Sequence, residues 1–472
     1  MPQPGSSSAT SQPSPFSGPT ANPADIDWPT WGFVAARSGE NTSETIISPA
    51  TVSGLHLLWS HKIGDSSTLY ADTQPIVASN VAMNGANADI VFAGDEHGYF
   101  VALNAINGAV IWTKHLGSQS TGCTQLPDGV FGITDTPVLD RTRSRVYVVD
   151  GTGILWAFDL ATGNVASGWP AGGLLVVNFS TLDHVWSGLS FDTTQNLLYV
   201  TTASYCDQGP WNGALRAVNV ASASVTGVFY FGTGTSTKPQ EGVTEYGGGV
   251  WGWGGVSIDP ATHDMYGASG NLEPTEAAPY SDSVVEWSPP VTPIASSEPA
   301  FTASDNDFGG STVLYNDAGS MCVAALRKDG SFFIYDRTNV ANGPTLALSL
   351  SSFPSINTPA HSSVTHDLYV TNPNNGAYNQ GLYAFTTQAG CTLNTTAVWS
   401  ASLAPFVAPP SIADGVVFQP AGSKIYAFNA ATGGQLWTSG SSIAGNIQNA
   451  ASIVNGRVYV VDWNDTIYAF GM

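Results

Sequence analysis

The segment Ser423-Lys-Ile-Tyr-Ala-Phe-Asn-Ala-Ala-Thr-Gly-Gly-Gln-Leu-Trp437 predicts two short β-strands joined by a tight turn. Apolar residues at 425–428 and 436–437 mark the two strands. Between them, positions 429–434 carry Asn, Thr and Gly, which tolerate positive φ or form local side-chain turns. The same pattern recurs along the chain, and a repeat of this kind determines the architecture.

The clearest second copy is Phe100-Val-Ala-Leu-Asn-Ala-Ile-Asn-Gly-Ala-Val-Ile-Trp112, and Ile154-Leu-Trp-Ala-Phe-Asp-Leu-Ala-Thr-Gly163 repeats its first half. Shorter copies begin at Leu215, Phe332, Leu382 and Ile467. Units of roughly 40–50 residues, with room for about four strands each, are typical of propeller blades. We therefore predict repeats at residues 74–117, 136–172, 186–232, 255–299, 311–350, 358–403 and 409–440, with an eighth half-unit at 450–470.

The eighth unit has no closing tryptophan of its own, whereas residues 58–64 form a strand that no repeat uses. We predict an all-β, eight-bladed β-propeller spanning residues 27–472, whose ring is closed by this N-terminal strand and leaves few open edges. Seven blades or an open solenoid are the alternatives, and the unused strand argues against them. We expect four tryptophans at repeat ends to dock between neighbouring blades, namely Trp59, Trp112, Trp399 and Trp437.

Composition excludes several classes of partner. The 472 residues carry a net charge of −22 with only 13 Lys and Arg, which disfavours nucleic acid and anionic membrane surfaces. No apolar run reaches the ~18 residues that a membrane span needs. Residues 1–26 are rich in Ser and Pro, so we expect a disordered leader from which an export signal has been removed.

The four cysteines, Cys123, Cys206, Cys322 and Cys391, are widely spaced and form no CxxC motif. Their even number favours two disulfides and an oxidising compartment, so we expect a secreted, periplasmic or cell-surface protein. Three pairings are possible, and we predict Cys123–Cys206 with Cys322–Cys391. Four buried free thiols are the alternative.

The Ala-x-Asn/Asp-Ala-x-x-Gly-x-x-x-Trp pattern resembles the tryptophan-docking repeat of the quinoprotein alcohol dehydrogenase propellers, which bind pyrroloquinoline quinone (PQQ). Four further stretches resemble that superfamily and its polyvinyl-alcohol dehydrogenase branch, in the expected order. They are Asp27-Trp-Pro-Thr-Trp-Gly32, Tyr266-Gly-Ala-Ser-Gly-Asn271 with the strand that follows it, Asp305-Asn-Asp-Phe-Gly-Gly310, and Arg327-Lys-Asp-Gly-Ser-Phe-Phe-Ile-Tyr-Asp-Arg-Thr-Asn339.

The resemblance implies roles for particular residues. Asn271 falls where the family has a calcium ligand, and Asp305 or Asp307 falls on the stretch that bears its catalytic aspartate. Lys328 falls where a Lys or Arg contacts the quinone. The family's calcium-binding glutamate aligns near Asp207, so that ligand is shortened, shifted or lost.

The chemistry gives independent reasons to single out these residues. A hard cation that polarises a quinone carbonyl takes about 6–8 oxygen ligands from amides, carboxylates and the cofactor. We expect the metal ligands to be the amide oxygen of Asn271, a carboxylate of Asp305 or Asp307, and a third acid from another blade, Asp207. An aspartate can accept the proton of an alcohol. Trp251 and Trp253 lie in the glycine-rich stretch 247–255 and could form the floor of a site for a flat ligand, because glycine lets the backbone approach a ring. Structural roles in turns, hairpin tips or the core remain open for each.

Two features depart from the family pattern: no two cysteines are adjacent, and no arginine matches the one that pairs with the carboxylates of PQQ. The first hypothesis is an exported monomeric oxidoreductase that uses PQQ and calcium to oxidise a small or polymeric alcohol. It would pass electrons to an external acceptor such as a cytochrome. The second is a non-catalytic extracellular propeller that binds protein or glycan. A third, weaker idea is a hydrolase or lyase that uses His184, His361 or His366.

Overall fold

The computed structural model describes residues 26–65, 70–126, 128–177, 182–239, 246–273, 280–300, 307–351, 356–404 and 407–472. Residues 1–25 of the predicted leader lie outside these ranges, so the leader remains a prediction. Eight sheets follow one another along the chain, and the first strand of each is the innermost. This arrangement is an eight-bladed propeller, as the repeats predicted.

The strands of the first four blades fall within or close to the predicted repeats. Blade 1 contains Ile76–Ala82, Asn87–Gly94, Tyr99–Asn104 and Val110–His115; blade 2 contains Val138–Asp140, Arg145–Val149, Ile154–Asp159 and Leu174–Leu175. Blade 3 contains Ser190–Asp192, Leu197–Thr202, Ala214–Asn219 and Ser224–Tyr230; blade 4 contains Ser257–Ile258, Met265–Ala268, Val284–Ser288 and Thr292–Ser297.

The remaining blades follow the same order. Blade 5 contains Val313–Asp317, Ser320–Leu326, Ser331–Asp336 and Leu346–Ser349; blade 6 contains Ala360–Ser362, Asp367–Asn372, Gly381–Gln388, the short Thr392–Leu393 and Trp399–Ser402. Blade 7 contains Ser411–Ala413, Val416–Ala421, Lys424–Asn429 and Gln435–Thr438, joined by the parallel strand Glu40–Asn41; blade 8 contains Ser452–Val454, Arg457–Asp462, Thr466–Gly471 and His56–Lys62.

Short elements decorate the loops between these strands. Two small hairpins pair Gln119–Ser120 with Val130–Phe131 and Tyr246–Gly247 with Leu272–Glu273. Single 3-10 turns span Val52–Gly54, Tyr205–Asp207 and Val340–Asn342. Within the described ranges, no helix is long and apolar enough to cross a membrane.

The ring is closed by the strand that the sequence left unassigned. His56–Lys62 pairs antiparallel with Thr466–Gly471, so the outermost strand of blade 8 comes from the start of the chain. Blade 8 is therefore built from both ends of the chain, which closes the ring non-covalently and confirms the prediction made from residues 58–64.

The tryptophan–glycine pattern forms the seams between blades. The Trp112 indole donates a hydrogen bond to the carbonyl oxygen of Leu160, 3.0 Å away, in the next blade. A Cβ on Gly163, whose φ is +65°, would lie 2.6 Å from the Trp112 ring, so only glycine permits this contact. Trp59 docks on Gly108 in the same way, and Trp399 docks on Gly433. Trp437 donates instead to the carbonyl of Leu55. The docking prediction is confirmed.

Residues 28–41 line the central channel and contact every blade in succession. Backbone hydrogen bonds join this segment to the second residue of the innermost strand in most blades: Val77, Leu139, Ile258, Leu314, His361 and Ile412. The buried Arg37 guanidinium reaches blade 3 through the carbonyl of Leu189, and the Asn41 side chain reaches the carbonyl of Ile453 in blade 8. The predicted N-terminal entry segment thus runs along the innermost strands of the ring.

Both disulfides have the predicted pairing, Cys123–Cys206 and Cys322–Cys391. They span 83 and 69 residues. Loops of these lengths differ little in closure entropy, so each cross-link should stabilise the fold by roughly 4 kcal/mol. Any difference between the effects of removing the two disulfides must therefore come from the segments that each one joins.

Candidate functional site

A pocket opens at the end of the ring where the chain enters the innermost strands and where the second and third strands of each blade are joined. Its cavity volume is about 90 Å³, below the roughly 300–1,000 Å³ typical of small-molecule sites, and the space between its walls amounts to about 510 Å³ when open solvent is included. Its walls come from blades 3, 4 and 5 and from the loops that precede blades 2, 3, 4, 5 and 6. All these segments lie at one end of the ring because successive strands run in opposite directions.

The structure brings most of the residues predicted for the site to this one pocket. The lining includes Asp207, Trp251, Asn271, Asp307 and Lys328. They come from three blades and are separated by up to 121 positions in sequence, so only the folded ring makes them neighbours.

Two residues predicted for the site are not part of this set. Asp305 lies outside the described residues. Trp253 does not line the pocket: its buried ring packs with Trp31 and Ala450. Trp31 belongs to the N-terminal segment that lines the channel, so Trp253 contributes to the core between this segment and the blades.

Asp307 is held through both of its carboxylate oxygens. Its Oδ2 accepts a hydrogen bond from the Trp251 indole nitrogen at 2.8 Å, and the Lys328 ammonium lies 3.3 Å from its Oδ1. The Lys328 backbone N–H also donates to the Asp307 carbonyl oxygen at 3.0 Å. Both side chains are largely buried, with 4% and 14% exposed, so this is a charge pair in a desolvated setting.

Glycines allow the close approach of backbone to this charge pair. A Cβ on Gly270 would lie 3.1 Å from the Trp251 indole nitrogen and 3.3 Å from Asp307 Oδ2. A Cβ on Gly309 would lie 2.7 Å from the Trp251 ring. A side chain at 270 would therefore require Trp251 and Asp307 to shift by a few tenths of an ångström, so glycine allows the 270–271 turn to lie this close to the acid.

Aromatic rings form a column beside the charge pair. Trp186 stacks on Trp251 with ring centroids 4.9 Å apart, and on Tyr205 at 4.0 Å. The Lys328 ammonium lies 5.5 Å from the Trp251 ring centre, within cation–π range. Trp251 thus contacts another indole and the ammonium as well as Asp307. The sequence analysis did not assign Trp186 to the site, because a single tryptophan in a loop carries no motif.

The rim of the pocket contains a turn with unusual backbone geometry. Cys206 and Asp207 are consecutive and both have positive φ, 58° and 46°, in the 3-10 turn that follows Ser204. Cys206 lines the pocket while its disulfide partner Cys123 is buried in the loop that precedes blade 2. No sequence signal marked Cys206 as a wall residue, although Asp207 had been singled out.

A second group of acids lies buried behind Tyr205. Glu96 accepts hydrogen bonds from the Gly132 backbone N–H at 2.9 Å and from the Thr134 hydroxyl at 2.7 Å, and the Tyr205 hydroxyl donates to Thr134 at 3.4 Å. Asp72 accepts from the Tyr70 hydroxyl at 2.7 Å. Burial raises the pKa of Glu96 to about 8 and that of Asp72 to about 7.

The histidines considered for hydrolytic chemistry are dispersed. His184 is buried, and its Nδ1 accepts the Tyr205 backbone N–H at 3.0 Å. His361 and His366 both face Asp317, with Nε2 and Nδ1 at 3.5 and 3.0 Å from its oxygens, and neither lines the pocket. Among the described residues, no three His, Cys, Asp or Glu side chains lie close enough together to hold a metal ion.

Solved structures with the same architecture include two quinohemoprotein alcohol dehydrogenases. The one from Comamonas testosteroni has a TM-score of 0.68 at 16% identity, and ADHIIG from Pseudomonas putida HK5 has 0.69 at 14%; each match covers 94% of this chain and 80% of the other. A europium-containing methanol dehydrogenase has a TM-score of 0.68 at 14% identity, covering 95% of this chain and 98% of the other. At such identities the similarity establishes the fold alone.

No curated protein sequence matches this chain. The family model described as outer membrane protein assembly factor BamB matches residues 38–201 and 379–471, just over half of the chain. These ranges cover the N-terminal closing strand, blades 1 and 2, and blades 7 and 8. The chain therefore belongs to this family, within the PQQ-like β-propeller superfamily.

Proposed function

We propose that the pocket binds a planar quinone of the PQQ type with calcium and that the protein is an exported oxidoreductase acting on an alcohol. The observation that carries this proposal is the convergence of Asp207, Trp251, Asn271, Asp307 and Lys328 on one pocket. If these residues had only structural roles in separate turns, we would expect them to lie in different parts of the molecule. Their position around one pocket therefore supports a shared role in binding.

The residues present fit a flat, polar and anionic ligand. Lys328 supplies a cation at the pocket wall, and Trp186 and Trp251 supply stacked aromatic surface. When bound, a quinone of this type would accept the hydride of an alcohol oxidation, which carries both electrons, while the hydroxyl proton goes to a base. Lys328 would hold a quinone oxygen, and the aromatic wall would orient the rings and exclude water.

The oxygen donors suit calcium in type. Asn271 offers an amide oxygen, and Asp307 and Asp207 offer carboxylates, which are the hard ligands that calcium prefers. The described acids do not by themselves form a complete cation site, so the remaining ligands would come from the cofactor.

As an alternative to a role as calcium ligand, Asp307 is the candidate base. The Trp251 indole and the Lys328 ammonium both stabilise its ionised form, which must be present to accept the hydroxyl proton of an alcohol. Electrons would leave to an external acceptor such as a cytochrome. The substrate could be small or polymeric, because the pocket is open to solvent. The names of the two quinohemoprotein alcohol dehydrogenases with this fold support this reaction class.

Export is part of the same proposal. Two disulfides with well-separated partners are typical of proteins that fold in an oxidising compartment, so we propose a periplasmic, cell-surface or secreted location and a monomeric state.

The test is calorimetric titration of the purified protein with PQQ, with and without calcium, followed by a dye-linked alcohol oxidation assay. We expect calcium-dependent binding that Asn271→Ala and Lys328→Ala weaken. Absence of binding in either condition would overturn the proposal.

A second candidate function is supported by one specific contact. Trp186 stacks directly on Trp251, so one face of the ring expected to support a flat ligand is already covered. A non-catalytic propeller that binds protein or glycan would not need an open face on Trp251 for a flat ligand. The BamB family model is also named for an assembly factor. This candidate predicts that PQQ does not bind.

A further inference from the structure

The turn Tyr205–Asp207 has a backbone that L-residues rarely adopt. Cys206 has φ 58° and ψ 25°, and Asp207 follows with φ 46°. Residues other than glycine visit this left-handed region mostly one at a time, so two in succession persist only where the surroundings hold them. Both side chains line the pocket, so the contacts that hold this turn also determine the shape of the pocket wall.

Contacts on two sides restrain this turn. On one side, the Tyr205 backbone N–H donates to His184 and the Tyr205 ring stacks on Trp186. On the other, the disulfide joins Cys206 to Cys123, which is 1% exposed in the loop of the small hairpin Gln119–Ser120/Val130–Phe131. The cross-link therefore ties the loop before blade 2 to a turn of blade 3, directly at the pocket wall.

We propose that the Cys123–Cys206 disulfide is a positioning cross-link: it holds the 205–207 turn in its left-handed form and so sets the pocket wall made by Cys206 and Asp207. Breaking it lets the turn relax to ordinary backbone angles and moves Asp207 from the wall. The expected loss of ligand affinity rests on the proposed function, whereas the expected loosening of the turn does not.

The second disulfide provides a matched control. Cys322–Cys391 closes a loop of similar length, 69 residues against 83, and Cys391 also has positive φ, 55°. Neither of its cysteines lines the pocket. Removing either disulfide should therefore have a similar general effect on stability, and only the removal of Cys123–Cys206 should alter the pocket.

Hydrogen exchange of the ligand-free protein tests the structural step. In Cys123→Ala/Cys206→Ala we expect exchange across residues 203–212 to rise about tenfold or more, whereas Cys322→Ala/Cys391→Ala leaves that segment unchanged. Unchanged exchange at 203–212 in the first variant, or an equal rise in both, would overturn the proposal.

A glycine variant separates positioning from mere cross-linking. Glycine adopts left-handed angles without steric cost, so Cys123→Ala/Cys206→Gly should retain the turn better than Cys123→Ala/Cys206→Ala. We expect its affinity for PQQ to lie between those of the wild type and the alanine variant. If the glycine and alanine variants behave alike, the left-handed turn is not what the disulfide preserves.

PQQ titration then tests the functional step. We expect Cys123→Ala/Cys206→Ala to bind about tenfold more weakly than the wild type and Cys322→Ala/Cys391→Ala to bind as the wild type does. Equal affinities in the two variants would overturn the positioning role. If the wild type itself does not bind PQQ, the proposed function fails, and the exchange measurement still decides whether the disulfide positions the turn.

Discussion

Two sets of buried carboxyl groups lie at the same end of the propeller, and they differ in what compensates their charge. Asp307 has the Lys328 ammonium at 3.3 Å and the Trp251 indole at 2.8 Å. Glu96 and Asp72 accept hydrogen bonds only from neutral donors, and among the described residues no salt bridge reaches either of them.

The consequence is a difference in protonation. A buried carboxylate with a cation beside it keeps its charge, whereas one without a cation takes up a proton as its pKa rises. Tyr205 lies between the two sets: its ring stacks on Trp186 at the pocket, and its hydroxyl contacts Thr134 beside Glu96. The comparison indicates that the pocket contains a carboxylate–ammonium pair, whereas the carboxyl groups of Glu96 and Asp72 behind it are held in their protonated form.

The largest expected effect comes from removing the cation. Lys328→Ala would remove the ammonium that lies 3.3 Å from the buried Asp307 carboxylate. We expect PQQ affinity to fall by about 30-fold or more, equivalent to roughly 2 kcal/mol, and Tm to decrease. Lys424→Ala, an exposed lysine on blade 7, is the control and should change neither. A Lys328→Ala variant that binds PQQ as the wild type does would show that the charge pair is not part of the site.

The next effect concerns pH. Burial raises the pKa of Glu96 to about 8 and of Asp72 to about 7, above their unfolded values, so these two groups bind more protons in the folded state between about pH 4 and 8. Their contribution to stability is therefore greatest at the acidic end of this window and is lost as pH rises through 7 and 8.

Thermal unfolding between pH 5 and 9 measures this contribution. In Glu96→Gln, which cannot ionise, the decline of Tm with pH should be shallower, by on the order of 2 kcal/mol across the range. Asp414→Asn, at an exposed hairpin, serves as the control and should keep the wild-type slope. A Glu96→Gln profile parallel to that of the wild type would mean that Glu96 is not protonated in the folded protein.

The smallest effect comes from the hydroxyl that links the two regions. Thr134→Val keeps the shape of the side chain but removes the donor to Glu96 and the acceptor for Tyr205. We expect a loss of about 1 kcal/mol in the free energy of unfolding and a further rise of the Glu96 pKa. Chemical denaturation measures the first, with exposed Thr432→Val as the control, and a steeper pH dependence reports the second. No change in either would remove Thr134 from the network.

The blades were predictable from sequence because each contact between neighbouring blades is made by two short sequence patterns. One is the tryptophan at the end of a repeat, and the other is the glycine turn of the next repeat. Each tryptophan ends a repeat, and the glycine on which it docks lies in a turn with a recurring spacing. Residues such as Trp112 and Gly163 therefore indicate from sequence where two blades meet. The closing strand was predictable for the same reason, since Trp59 had no repeat of its own to complete.

The site was predictable only in part. Asp207, Asn271, Asp307 and Lys328 were found because they lie in stretches that resemble a family, and Trp251 because of its glycine-rich surroundings. Trp186 was missed because its role depends on stacking across two loops, and Trp253 was assigned to the pocket because the path of the channel segment cannot be read from its sequence. The protonation of Glu96 depends on burial without a cation, which no local pattern reveals.

The most direct test of the account is calorimetric titration of the wild-type protein with PQQ in the presence and absence of calcium. We predict micromolar or tighter binding that depends on calcium and weakens in Lys328→Ala. Absence of binding under both conditions would contradict it and would direct attention to protein or glycan partners of the propeller.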